Sequence, residues 1–140
     1  MTRDPLEALI RLRRLTADEA RRELAECLRN EDAAAQAIAT IDAAIERETD
    51  AATSLAAGDA EVEAFAAWLR RMRPRQHAAH VAEDQAEAET AHARIVLSAA
   101  RAAVQAAEDM LDEHKAALRV EAERREQHAL DEVAQRAGTR

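Results

Sequence analysis

His77 and His80 stand three residues apart, next to Glu83 and Asp84. On a helix that spacing brings two imidazoles to one face, and zinc requires three or four converging nitrogen, sulfur or oxygen ligands. No separate element supplies a third ligand, so the pair belongs to an exposed polar face and no metal is expected. His92, His114 and His128 are scattered and form no cluster. Cys27 is the only cysteine. A nucleophile needs a neighbouring base and a formed pocket, whereas Cys27 falls on an apolar line and reads as a small buried hydrophobe. Glu31-Asp32 and Glu108-Asp109 are solvated acids. The two glycines build no phosphate loop. No catalytic residue and no cofactor follow from these groups, and an enzyme is not expected.

Two clusters suit binding better than catalysis. Arg70, Arg71, Arg73 and Arg75 form the densest basic patch. It suits RNA or anionic lipid, but no aromatics are interleaved, and charge matching to the acidic stretch from Glu31 to Asp50 is the simpler reading. Phe65, Trp68 and Met72 occupy one helix face, with Leu69 at its border. They either seal the end of a hairpin or anchor a partner, since Trp is favoured at binding hot spots and Met at adaptable surfaces.

The elements that must position these residues are helices. Of 140 residues, 38 are Ala, while Leu, Ile, Val and Phe together supply 24. Ala, Glu, Lys, Leu and Arg sum to 88, a composition built for long helices with a narrow seam. One Phe, one Trp and no Tyr cannot furnish a sheet core. The net charge of −8 speaks against nucleic acid as a partner and for a soluble chain that meets proteins. No apolar run approaches a membrane span, no direct membrane insertion is expected, and a cytoplasmic location is.

The fold expected is all-α, a single domain of residues 1–140 forming a long antiparallel two-helix coiled-coil hairpin. Asp4-Pro5-Leu6-Glu7 is a helix start, and the first helix runs over about 5–55. A turn at about 56–59 uses Gly58 as left-handed terminator and Asp59 as the next cap. The second helix runs over about 60–137 and is kinked or split near Pro74. Leu6, Ile10, Leu24, Cys27, Ile38, Ile41, Ile45 and Leu55 mark the seam on the first helix, interrupted at Arg13, Glu31 and Glu48. On the second helix Val81, Ala88 and Ile95 are seven apart, and so are Leu97, Val104, Leu111 and Leu118, with a phase slip between the two sets. Reflection about residue 57 sets Ile10 against Val104, Ala17 against Leu97 and Pro5 against Asp109. About 28 residues of the second helix then continue alone, and Leu111, Leu118, Leu130 and Val133 find no partner in the chain.

The order of these parts resembles the FliJ family, small coiled-coil proteins of the flagellar type III export apparatus. The run from Pro5 to Leu12, the segment Asp18 to Leu24, the set Phe65, Trp68 and Met72 after the turn, and the closing Leu130 to Arg136 carry the resemblance. Pro74 departs from the family pattern, and Met72 stands where Leu is usual. The resemblance implies a non-enzymatic stalk and adaptor. Its end with both termini enters the hexameric export ATPase and promotes its assembly and activity. The post-turn residues Phe65, Trp68, Leu69 and Met72 contact the export gate protein, and export chaperones also bind. The location implied is cytoplasmic, held peripherally at the inner membrane by the apparatus. The stalk protein of a virulence secretion system, a generic coiled-coil spacer and an RNA-binding hairpin are the alternatives.

Overall fold

The computed structural model describes residues 4–139. Two helices account for nearly all of them: α1, Pro5–Thr53, and α2, Asp59–Gly138. Asp4 starts α1 as its sequence predicts, its Oδ1 accepting the Leu6 N–H at 2.9 Å. At the other end Thr49, Thr53 and Ser54 turn their hydroxyls back onto the carbonyls of Ile45, Thr49 and Ala51. Of these carbonyls, that of Ala51 is one the helix terminus leaves without an amide donor.

The turn is built differently from the expectation. α1 stops at Thr53, and neither glycine has a positive φ. Gly58 instead precedes the first helical residue of α2. Its N–H donates to Glu61 Oε2 at 2.8 Å, and its carbonyl accepts the Glu61 N–H at 3.1 Å. This is the reaching-back half of a capping box, with Glu at its usual third position. Leu55, expected in the seam, therefore lies in the loop 54–58 and is fully exposed.

The chain forms two compact units, one from the described parts of Met1–Asp18 and Ser98–Arg140, the other from Glu19–Leu97. In the second unit the buried and half-buried positions of the two helices mirror one another about a point between residues 58 and 59. Ala20 is level with Leu97, Cys27 with Thr90, Ile38 with Ala79, Ile45 with Met72, and Ala52 with Phe65. The hydrogen bond from Gln76 Nε2 to Asp42 Oδ1, 2.8 Å, crosses between the helices in this register. In the first unit Leu6, Ile10 and Ala17 are level with Leu111, Ala107 and Ala100 by the same rule. The reflection about residue 57 was thus three residues short in pairing Ile10. Thr53 falls level with Ala64, so α2 begins beyond the end of α1, and the loop climbs that distance. Five extended residues reach about 17 Å, which is ample.

The seam of α2 is an Ala line, Ala79, Ala86, Ala93, Ala100 and Ala107, each seven residues after the last and each buried or half-buried. All but one of the partner positions are larger: Ile38, Glu31 and Leu24 in one unit and Ile10 in the other, while Ala100 is level with Ala17. Small residues let the backbones approach while large ones fill the gap, which is how a thin core reaches close packing. Val81, Ala88 and Ile95 are exposed instead, so they are not in the seam and no phase slip is required. The one departure from heptads lies elsewhere. Phe65, Trp68, Met72, Gln76 and Ala79 step by three, four, four and three, and the partner positions Ala52, Thr49, Ile45, Ile41 and Ile38 repeat the pattern. Such an added four relaxes the supercoil locally in both helices at one level. Pro74 sits there, exposed, and α2 continues through it without splitting. At an exposed site, water can reach the Arg70 carbonyl that proline deprives of its amide donor.

Candidate functional site: a bare helix face and a half-closed cleft

In the unit containing both chain ends, α1 covers α2 only as far as Leu111. Arg14 Nη2 lies 2.6 Å from Glu108 Oε1, and Leu111 lines a shallow pocket with Glu7, Ile10, Arg11 and Arg14. Leu111 is therefore half-buried against α1, which corrects the expectation that it has no partner in the chain. From Asp112 to the end of α2 every described residue is exposed. At 1.5 Å per residue the exposed stretch is roughly 40 Å long.

This stretch keeps its helix without packing. Arg125 pairs with Glu121 and Arg136 with Glu132, in each case with the acid four residues N-terminal to the base, the more favourable order. Gln127 donates to Asp131 at 3.1 Å in the same spacing. Ala, Glu, Arg and Leu, the strong helix formers, supply most of the rest. Leu111, Leu118, Ala122, Ala129 and Val133 follow one another by seven, four, seven and four. At 100° per residue these five fall within about 60° of one another and draw a straight apolar stripe along the helix. Leu118 and Val133 are half or more exposed. Leu130 borders the stripe rather than joining it.

The residues after the turn are brought together in the other unit. The Phe65 and Trp68 rings stack with centroids 6.2 Å apart and planes inclined by 27°. Both line an open cleft of about 630 Å³ with Glu48, Ala52 and Ala57. Phe65, Trp68, Leu69 and Met72 are all half-buried, so each combines contact inside the hairpin with a surface left open. The Arg patch is not neutralised as the charge-matching reading required. Among the described residues Arg70, Arg71, Arg73 and Arg75 enter no ion pair, although Arg73 donates to Gln76. His80 lies 3.9 Å from Glu83, and no group of three or more His, Cys, Asp or Glu among the described residues is placed to hold a metal ion.

Cys27 is buried, and burial pushes its thiol pKa up, helped by the carboxylates of Glu23, Glu89 and Glu26. A thiol so placed resists forming the nucleophilic thiolate. Level with it, Thr90 is 1% exposed, and its Oγ1 has no hydrogen-bond partner; Glu31 Oε2, a turn further along α1, is also without one. This polar layer was missed in the sequence because only the interruption at Glu31 signalled it.

Two long helices packed against each other, with no strand among the described residues, define an all-α helical hairpin. The chain matches the family model described as the flagellar FliJ protein over residues 2–140, and it belongs to the FliJ family. It is therefore a component of the flagellar export apparatus. No curated protein and no solved structure matches it. No described helix is long and apolar enough to cross a membrane.

Proposed function

We propose that this chain is a non-enzymatic stalk and adaptor of flagellar protein export. In this reading α2 beyond Leu111 binds the hexameric export ATPase and promotes its activity. Phe65, Trp68, Leu69 and Met72 link the hairpin to the export gate protein, and export chaperones are further partners. Through the gate the protein associates peripherally with the inner membrane from the cytoplasmic side.

The observation that carries the reading is the bare stripe of α2. Burying one Leu or Val side chain stabilises by roughly 1.5–3 kcal/mol, so a partner that covers Leu118, Val133 and the alanines between them gains usefully. A ring with a central opening accepts a single helix from all sides, which suits a stretch exposed around its whole circumference. Co-purification with the export ATPase tests it. Leu118→Glu should remove binding while helicity stays unchanged, because Leu118 is exposed and lies beyond the cover of α1. Full binding by that variant contradicts the assignment.

A further inference from the structure

α2 carries a second apolar line, on the side away from α1. Ala67, Pro74, Val81, Ala88 and Ile95 are each seven residues apart, and all but the half-buried Ala67 are exposed. Val81 is 50% and Ile95 67% exposed. The hairpin's own packing leaves Pro74, Val81 and Ile95 uncovered, and Ala88, though exposed, borders a cleft with Ala20, Glu23 and Cys27 of α1.

The charges beside it are sorted along the helix. No acid occurs between Glu63 and Glu83, and that interval holds Arg70, Arg71, Arg73, Arg75, His77 and His80. Immediately after it come Glu83, Asp84, Glu87 and Glu89. The change of sign falls at Val81. The four arginines and Asp84, Glu87 and Glu89 enter no ion pair among the described residues. At 100° per residue Arg73, His77, Asp84 and Glu87 lie on one flank of the line, and Arg71, Arg75 and Glu89 on the other.

We propose that this outer face pairs antiparallel with the same face of a second copy, about a two-fold axis at Val81. Such an axis keeps each flank beside its own counterpart. Arg73 of one copy then comes within a turn of Glu87 of the other, Arg71 and Arg75 bracket Glu89, and His77 meets Asp84. Each pairing occurs twice. Val81 packs on Val81, Ala88 on Pro74 and Ile95 on Ala67. A parallel arrangement sets the arginines against one another and is repelled. The apolar content is modest, so the dimer is of the small, transient kind, with complementary charge fixing its orientation.

The test uses the full chain at about 100 μM, a concentration suited to a weak interface. Sedimentation equilibrium should give twice the 15.4 kDa chain mass at low salt. It should fall toward the single-chain mass at about 1 M salt, where the Debye length is about 3 Å. In a Cys27→Ala background, Val81→Cys should oxidise to a disulfide-linked dimer. Ile95→Cys should not, because the axis leaves its two copies roughly 42 Å apart at 1.5 Å per residue. Arg73→Glu should lower the association constant at least tenfold, and adding Glu87→Arg should restore it. Both positions are exposed, so unchanged helicity by circular dichroism shows that the variants fold. A single-chain mass at every concentration, or Ile95→Cys linking as readily as Val81→Cys, overturns the proposal.

Discussion

Arg14 donates to Glu108 across the helices at 2.6 Å, one turn before α2 leaves the cover of α1. The Arg14 side chain is 61% exposed, so solvent screens the pair. Arg14→Ala should cost under about 1 kcal/mol of unfolding free energy. Ile10→Ala, in the same unit but at a buried position, should cost about 2 kcal/mol or more. Urea denaturation of the two variants checks the ranking. Equal losses contradict the view that the apolar seam, rather than surface charge, holds this end together.

Thr90 should be a weak point of the core. Its hydroxyl is buried without a partner, and such a group costs about 1–3 kcal/mol in desolvation. Thr90→Val keeps the shape and removes the cost, so the melting temperature should rise by several degrees. A fall in melting temperature means that the hydroxyl has a role in fixing the register.

Cys27 should react slowly. Its raised pKa keeps the folded thiol protonated where an unfolded chain's thiol ionises. Above the ordinary thiol pKa of about 8.5 the folded state binds more protons, so stability falls as pH rises through that value. Alkylation in native buffer at pH 8 should lag far behind alkylation in urea. Comparable rates place Cys27 outside the seam.

The two helices were legible because their signals were local. Asp4-Pro5 marked one start, and a single apolar line marked the buried side of α1 from Leu6 to Ile45. Leu55 fell outside because α1 ends at Thr53, where Ser54 Oγ turns back onto the Ala51 carbonyl, before the glycine is reached. α2 was harder to read because it carries two lines. The buried one consists largely of alanines, with Leu97 and Val104 among them, while Val81 and Ile95 stand on the outer face, so large apolar residues mark both sides of the helix. The bare stretch after Leu111 was legible from chain length alone. The extra turn of cover over Leu111 was not, since it depends on how far the loop 54–58 climbs.

The half-buried Trp68 should separate two roles. If it anchors the export gate, Trp68→Ala should weaken gate binding by about 2 kcal/mol or more while ATPase stimulation persists. Isothermal titration with the gate's cytoplasmic part measures the first, and a steady-state phosphate assay the second. Loss of helicity with normal gate binding by the remaining folded protein makes Trp68 a seal for the hairpin and nothing more.

The central claim is that the bare stripe of α2 is where the export ATPase is engaged. The most direct measurement is the ATPase rate as a function of added protein, for wild type and Leu118→Glu. Leu118 is exposed and lies beyond the cover of α1, so the variant should match wild type in helicity and melting temperature. The account predicts saturable stimulation by wild type and a dose–response shifted at least tenfold for Leu118→Glu. Superimposable curves would contradict it.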